Sequence, residues 1–594
     1  MSEPKEYGPT LGISKEIHAM KYRGKGESFK EAMTRVADAL KDTDEHYNTF
    51  RDILLDQRFL PAGRVQSSMG AARQTTPYNC FVSNTLDDSM DGIMDAAKEA
   101  AKTMQLGGGI GYDFSTLRPR GALIRSLDSR SSGPLSFMEI FDATCKTVAS
   151  AGHRRGAQMG VLRVDHPDIE EFIRVKNNSD TLTQFNLSVG VTDEFMEAVK
   201  EDTDFDLVFE GRVYKTVSAT ALWNEILRST WDWAEPGILF IDRMNDKNNL
   251  HYCEEIAATN PCGEQPLPPY GACLLGSFNL TKYVYTQGNK PWSAEREYPD
   301  KAVRFFDYQA LKEDIGPVVR AMDNVVDRAI YPLPQQEKEA KDKRRMGLGI
   351  TGLANAGEAL GFKYGSTGFL AFTTEVMTIL RDTAYRSSIE LAMTKGAFPL
   401  YHEEYLNSEF AMSLPEDIRE DIKTHGIRNS HLLSIAPTGT ISLSADNISS
   451  GIEPVFSHSY DRLIQTFEGP RTERVTDYGY REYGVKGVTA NELSVFDHVD
   501  VLTTASKYVD SACSKTCNVG DDVTWEQFKE VYMRAYEGGA SGCTTFRAAG
   551  KRYGILTASA AEDVVEEEEV EENHDEVEGA ACYVDLQTGR RTCE

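Results

Sequence analysis

The chain has 594 residues, 40% of them hydrophobic, enough to bury a large core in one or several domains. Its formal net charge of −28 excludes non-specific nucleic-acid binding, which needs clustered Lys and Arg, so no nucleic-acid partner is expected. No apolar run reaches the roughly 18 residues of a membrane span, and the start, Met1-Ser2-Glu3-Pro4-Lys5-Glu6, is polar and unlike a signal peptide. No membrane partner and a cytoplasmic location are therefore expected.

Residues 1–25 show no clear periodicity and are expected to pack loosely. Across residues 29–55, apolar residues recur at helical spacing (Phe29, Ala32, Met33, Val36, Ala37, Leu40), which predicts amphipathic helices. From about 75 to 555, short β-rich runs alternate with helical ones, the mark of an α/β architecture. Phe185–Val191 reads as a buried strand, 221–233 and 318–329 as helices, and 432–435 as a strand ending at Pro437. After Tyr553 the composition changes: residues 562–578 carry eleven acidic side chains and no Lys or Arg. Like charges repel there and little apolar surface is available, so an extended linker is expected, followed by a short tail.

Three local patterns carry chemistry. Asn260-Pro261-Cys262-Gly263-Glu264 sets an amide, a thiol and a carboxyl at i, i+2 and i+4. In an extended segment these point to one face with roughly 6.5 Å between neighbours. Pro261 lacks an N–H, so the segment is read as an extended loop rather than a central strand. Taken alone, the same residues also fit a turn with a buried cysteine and a solvated glutamate. Pro437-Thr438-Gly439-Thr440-Ile441-Ser442 supplies glycine, hydroxyls and backbone N–H groups after a strand, which suits an anion at a helix N-terminus; a plain Ser/Thr turn is the alternative. The glycines at 107–111 do not form a dinucleotide fingerprint, because Tyr112 stands where the last glycine would be. They are read as permitting close backbone approach to a substrate, with Gly108 and Gly109 at the contact.

The ten cysteines are Cys80, Cys145, Cys253, Cys262, Cys273, Cys513, Cys517, Cys543, Cys582 and Cys593. In a long intracellular chain they are expected to be reduced, catalytic or metal-binding rather than structural disulfides. No CxxC pair occurs. Cys513, Cys517 and Cys543 could suggest a metal cluster, but three small buried residues are the preferred reading, so no metal site is expected.

The segment from Asn260 to Leu280, with Gly271-Ala272-Cys273-Leu274-Leu275-Gly276-Ser277-Phe278-Asn279 inside it, resembles the active-site loop of ribonucleotide reductases, most closely the adenosylcobalamin-dependent class II. The resemblance continues in family order over about 50–555. It includes Tyr78-Asn79-Cys80-Phe81-Val82 with Asp88-Ser89-Met90, Leu117-Arg118-Pro119-Arg120-Gly121 and Phe185-Asn186-Leu187-Ser188-Val189. Further on come Gly347-Leu348-Gly349-Ile350-Thr351-Gly352-Leu353, the 437–442 segment, Gly451-Ile452-Glu453-Pro454 and Ser514-Lys515-Thr516. It implies a ten-stranded α/β barrel of two five-stranded halves over 61–555, with the loop bearing Cys262 at its centre. Ahead of it would lie an N-terminal helical segment, 1–60, without a full ATP cone; behind it, the acidic linker 556–581 and a redox tail, 582–594.

The resemblance also implies roles. A thiyl radical at Cys262 would take the ribose 3′-hydrogen, Glu264 would accept the 3′-OH proton, and Asn260 would orient the hydroxyls. Cys80 and Cys273 would supply the reducing equivalents for reduction of a ribonucleotide, implied to be a diphosphate. Thr438, Gly439, Thr440, Ile441 and Ser442 would hold its phosphates. Gly542-Cys543-Thr544-Thr545-Phe546-Arg547 lacks the tyrosine pair of class I large subunits, which need a separate metal-radical subunit. That favours adenosylcobalamin as cofactor, with class I as the alternative. Deoxynucleotide or ATP specificity effectors are matched to Asp88 and Ser89, one residue off the family's spacing, and to Arg125, with 176–184 as the relay loop. A homodimer is implied. Cys582 and Cys593 are expected to pass electrons from a thioredoxin- or glutaredoxin-like reductant. Their separation exceeds the family's usual pair, but Thr588-Gly589 could turn the chain so that they meet.

Overall fold

The computed structural model describes residues 6–124, 127–148, 158–177, 181–286, 303–466, 469–547, 550, 582–585 and 590–593. Its first element corrects the expected loose packing of residues 1–25: Gly12–Tyr22 is a helix that buries Ile13, Ile17 and Tyr22. Its partners are remote in sequence, so local pattern does not announce it. Thr10 and Leu11 donate their backbone N–H groups to Asp446 Oδ1 at 2.7 and 2.9 Å, and Ser14 Oγ donates to the Leu443 carbonyl at 2.6 Å. Helices Phe29–Leu40 and Asp44–Leu55 follow as expected. Ser28 and Glu31 form a capping box at the first, and the apolar stripe from Phe29 to Leu40 is buried throughout.

The strands of the two larger sheets, of the site hairpin and of the tail are, in chain order, β1 (Phe59–Pro61), β2 (Cys80–Val82), β3 (Gly109–Asp113), β4 (Gln158–Arg163), β5 (Phe185–Val191), β6 (Gly237–Phe240), β7 (Ala258–Thr259), β8 (Pro266–Leu267), β9 (Leu275–Asn279), β10 (Gly347–Thr351), β11 (Thr516–Val519), β12 (Gly542–Arg547), β13 (Cys582–Asp585) and β14 (Arg590–Cys593). A seven-stranded sheet has the order β11-β12-β6-β5-β4-β3-β2, and a three-stranded sheet the order β1-β9-β10. β2 to β6 run parallel; β12 is antiparallel to β6 and parallel to β11. β5 coincides with its expected span and is buried at every position, as a parallel strand covered on both faces should be. Isolated bridges join Phe81 to Ala272 (antiparallel), Leu348 to Leu433 and Ile435 to Cys513 (both parallel). The expected strand at 432–435 is thus present only as these two bridges. The fold is mixed α/β, and among the described residues the ladders do not close into a continuous barrel.

The helix expected at 221–233 begins slightly earlier, as Ala219–Trp233, behind the capping Ser218. The one expected at 318–329 is Tyr308–Arg328 and runs straight through Pro317. Proline is normally disfavoured in a helix interior, and here the helix continues on both sides of it. One core packs the N-terminal helices, Tyr308–Arg328 and Thr367–Lys395 against β9 and β10. A second packs Met90–Gln105, Pro134–Thr147, Ala219–Trp233 and Trp525–Glu537 against the seven-stranded sheet. No helix among the described residues is long and apolar enough to cross a membrane.

Candidate active site

β7 and β8 pair antiparallel, so the six residues between them must reverse direction. This corrects the extended ledge: Asn260, Cys262 and Glu264 sit on the tip of a hairpin. The Gly263 N–H donates to the Asn260 carbonyl at 3.0 Å, with Pro261 at the second turn position, where its fixed φ is favourable, and Gly263 follows at φ +82°. Asn260 fixes the tip twice more: its N–H donates to the Gln265 carbonyl at 3.1 Å, and its Oδ1 accepts the Gln265 N–H at 2.9 Å.

The tip is held from both sides. Asn186 on β5 donates through Nδ2 to the Pro261 carbonyl at 3.3 Å. From the other side, Ser434 Oγ and the Ala512 N–H both donate to the Glu264 carbonyl at 2.9 Å. The hairpin lies so close to β3 that a Cβ on Gly111 would stand 1.8 Å from the Thr259 carbonyl oxygen. A Cβ on Gly108 would likewise meet the Phe81 ring at 2.7 Å, so at these two glycines the missing side chain makes room for neighbouring protein.

Cys80 and Cys273 are brought together from distant sequence. The Cys273 N–H donates to the Cys80 carbonyl at 2.8 Å, and the Asn79 N–H donates to the Cys273 carbonyl at 3.3 Å. Neither is in a disulfide, nor is Cys262. Asn260 and Cys273 are fully buried, Glu264 is 1% exposed, Cys80 3% and Cys262 7%, so the cluster is shut off from bulk water. Burial pushes the Cys273 thiol well above its ordinary range; neighbouring Cys80, Glu264 and Cys262 add to this, against the pull of Arg345. Cys273 is thus held as a neutral S–H, a proton and hydrogen donor. Asn260 Nδ2 is buried with no hydrogen-bond partner among the described residues, which leaves a donor for a bound molecule.

Thr438 adopts a left-handed conformation (φ +53°) and leads into the helix Gly439–Leu443. Its hydroxyl, that of Ser442 and that of Thr351 form a triangle with sides of 3.0, 2.9 and 3.0 Å, and the Gly451 N–H donates to Thr438 Oγ1 at 2.8 Å. The hydroxyls of Thr438 and Ser442 therefore brace the loop, and Thr351 is their support on β10.

Asp88 and Ser89 both have structural employment. Asp88 accepts from Arg118 Nε at 2.6 Å and from the Arg118 N–H at 3.2 Å; Ser89 Oγ caps the helix Met90–Gln105 by accepting the Gly92 N–H at 3.0 Å. Arg125, residues 178–180 of the relay loop, and the whole linker 556–581 lie outside the described residues. β13 and β14 pair antiparallel with Cys582 directly opposite Cys593 in register. Cys517 and Cys543 are buried free thiols on neighbouring strands; a hydrogen bond with Cys517 and then burial raise the Cys543 thiol well above its usual range. Among the described residues no group of three His, Cys, Asp or Glu has metal-holding geometry.

Sequence reasoning gave no role to Asn186, Gln265, Thr351 or Ser434. Asn186 had a legible signal, a buried amide in a strand whose only other polar residue is Ser188; Ser434 had none, because it acts on a backbone carbonyl.

The chain is also similar in sequence to known proteins. The family profile described as ribonucleotide reductase, barrel domain, matches residues 78–546. The vitamin B12-dependent ribonucleoside-diphosphate reductase of Thermoplasma acidophilum is 33% identical over 575 residues, covering 91% of this chain and 70% of that protein. The protein of the same name from Mycobacterium tuberculosis (strain CDC 1551) is 33% identical over 575 residues, covering 90% of this chain and 78% of its own length. The ribonucleoside-diphosphate reductase large subunit of Variola virus is 25% identical over 471 residues, covering 72% of this chain and 58% of that protein.

Proposed function

The chain belongs to the ribonucleotide reductase family, and from that premise we propose that it reduces ribonucleoside diphosphates to 2′-deoxyribonucleotides with adenosylcobalamin as cofactor. The observation that carries the reading is the closed cluster of Asn260, Cys262, Glu264, Cys80 and Cys273, in a chain similar over nine-tenths of its length to B12-dependent reductases. The class I reading is not favoured: β12 has no tyrosine pair, and the relatives of higher identity are named B12-dependent.

When bound, adenosylcobalamin supplies the radical that oxidises a cysteine thiol. The chain does the rest. Cys262, as a thiyl radical, takes the substrate's 3′-hydrogen and returns it at the end. Glu264 accepts the 3′-OH proton, and the unused Asn260 Nδ2 donor orients the sugar. Cys80 and Cys273 give two electrons and two protons: the 2′-OH leaves as water, and the two sulfurs end as a disulfide. A neutral Cys273 suits this donation. Burial keeps water away from the radical.

The phosphates are assigned to Thr438, Gly439, Thr440, Ile441 and Ser442, with Gly108 and Gly109 as backbone wall. The braced hydroxyl triangle supports a pre-formed loop. Asp88, Ser89 and Arg125 are proposed for the specificity effectors, and Cys582 with Cys593 for electron delivery from a thioredoxin- or glutaredoxin-like protein to a homodimer. The register of β13 and β14 supports the last pairing. The fold is proposed to be a ten-stranded barrel over 61–555, after a helical segment 1–60 and before the linker 556–581 and tail 582–594. Its support is two parallel sets, β2 to β6 and β9, β10, 432–435, β11 and β12, meeting antiparallel at β6 with β12 and at Phe81 with Ala272.

The test is a reductase assay on the purified chain alone, with a dithiol, with and without adenosylcobalamin. Deoxynucleotide formation only with the cofactor is expected; activity that ignores it and needs an added metalloprotein would overturn the reading.

A further inference from the structure

Ser434 Oγ and the Ala512 N–H converge on the Glu264 carbonyl from two chain segments, 432–435 and 511–514. The segments touch through their backbones: the Ile435 N–H donates to the Ala512 carbonyl at 3.1 Å, and the Ser511 N–H to the Leu433 carbonyl at 3.2 Å. A side chain locks them together at the other end. Asp510, the residue ahead of Ser511, accepts the Leu432 N–H at Oδ2 (2.7 Å) and the Leu433 N–H at Oδ1 (2.9 Å). The Tyr385 hydroxyl donates to the same Oδ2 at 2.7 Å and is itself fixed by Asn249 Nδ2 at 3.0 Å.

Asp510 is 4% exposed, and a buried carboxylate needs compensation. Lys247, from the helix Ile241–Lys247, and Arg345, just ahead of β10, are cations whose fields reach it. Both are committed elsewhere: Lys247 Nζ donates to the Ser506 carbonyl at 2.8 Å, and Arg345 to Glu254 at 2.5 Å. Tyr405 also faces it, with its hydroxyl donating to the Ser430 carbonyl at 2.9 Å; Glu409 and Cys513 lie around Lys247. Three hydrogen bonds, two of them from the backbone it fastens, therefore carry the Asp510 charge. Burial raises its pKa to about 6, against the pull of Tyr385, Leu432, Leu433 and Lys247. A proton on Oδ2 turns that oxygen from acceptor to donor toward Tyr385, and the Leu432 N–H loses its charged partner.

We propose that Asp510 is a positioning residue for the catalytic base: its carboxylate holds the two segments together so that Ser434 and Ala512 fix Glu264, and its protonation slackens that grip. The inference rests on the reductase reading above, in which Glu264 takes the 3′-OH proton.

Single-turnover deoxynucleotide formation, with cofactor and ribonucleoside diphosphate saturating, tests it from about pH 5 to about pH 8. The unaltered chain should lose rate as pH falls through about 6. Tyr385→Phe removes a bond that favours the charged form, so its acid limb should move to higher pH. Asp510→Asn is neutral at every pH, and its amide oxygen can serve only one of the two N–H groups. Its rate should be on the order of tenfold lower, with KM for the diphosphate unchanged and the limb near pH 6 gone. A carboxylate that merely supports the fold would change stability without moving the limb. Infrared titration reads the same group without turnover: a protonated-carboxyl C=O band should grow as pH falls through about 6 and be missing from folded Asp510→Asn. A folded Tyr385→Phe with an unmoved limb, an Asp510→Asn of unaltered rate, or no such band overturns the inference. A raised KM at unaltered rate overturns it too, because the grip would then serve substrate binding. No turnover by the unaltered chain, with the band present, would instead remove the reductase reading, and with it the base that Asp510 positions.

Discussion

Gly111→Ala should lower kcat on the order of a hundredfold without unfolding the protein. A Cβ there would stand 1.8 Å from the Thr259 carbonyl oxygen, where real contacts essentially never fall below 3.0 Å, so the atoms must part by at least 3.0 − 1.8 = 1.2 Å. The obstruction is backbone, not the end of a flexible side chain. It belongs to β7, whose next residue is Asn260, and the hairpin tip is tied to Asn186, Ser434 and Ala512. The shift must pass into the positions of Asn260, Cys262 and Glu264 or strain those ties. A misplacement of about 1 Å at a reacting centre costs about 10²-fold in rate, and overpacking costs about 1–3 kcal/mol of stability. The assay is kcat at saturating cofactor and substrate, with the urea midpoint measured in parallel. Gly12→Ala is the control, since its Cβ would meet nothing within 4 Å. A folded Gly111→Ala enzyme with wild-type kcat would refute the claim that this contact sets the geometry of the tip.

Cys262→Ser should abolish reduction while preserving nucleotide binding, because an alcohol O–H is much harder to convert to a radical than a thiol S–H; appreciable turnover would take the radical role from Cys262. Glu264→Gln should bind substrate yet lose about 10²–10⁴ in kcat, the usual worth of a general base, and a near-normal rate would point to another base. Cys582→Ser with Cys593→Ser should leave a single turnover intact, impair repeated turnover with a thioredoxin-like protein, and be partly rescued by a small dithiol; unimpaired turnover with the protein reductant sinks the shuttle. Burial and then Arg23 lower the His18 pKa to about 3, so the unfolded chain takes up a proton below about 6.5 that the native state refuses, and stability present at neutral pH is lost as pH falls. Between pH 7 and pH 5 that loss is about 2 kcal/mol, and His18→Gln should remove it from the urea-denaturation difference; an identical difference in the variant would contradict the assignment.

The residue types of the site were legible, because a thiol, an amide and a carboxyl two positions apart make a pattern that sequence displays directly. Their geometry was not. The hairpin that carries them is closed by two-residue strands, too short for any periodicity to register, and its anchors act through backbone carbonyls, which carry no residue identity. The same limit hid the helix Gly12–Tyr22, whose partners Asp446 and Leu443 are more than four hundred residues away, and misplaced the start of Tyr308–Arg328, where tertiary packing overrides Pro317. The opposite held for β5, where Phe185, Leu187, Val189 and Val191 mark a strand directly in the chain and every position is buried; Asn186, one of its two polar residues, is the one that grips the hairpin.

That grip has a consequence for how the site assembles. The Pro261 carbonyl is held by β5, in the first parallel set, while the Glu264 carbonyl is held by Ser434 and Ala512, which belong to the second. Cys80 and Cys273 likewise meet where Phe81 bridges Ala272. Neither set alone holds the whole cluster, so on the proposed roles the two must dock before Cys262, Glu264 and the Cys80–Cys273 pair can face one substrate. A buried site built on such a junction needs no separate lid to keep a radical from water, because the contacts that orient its groups are the contacts that close it.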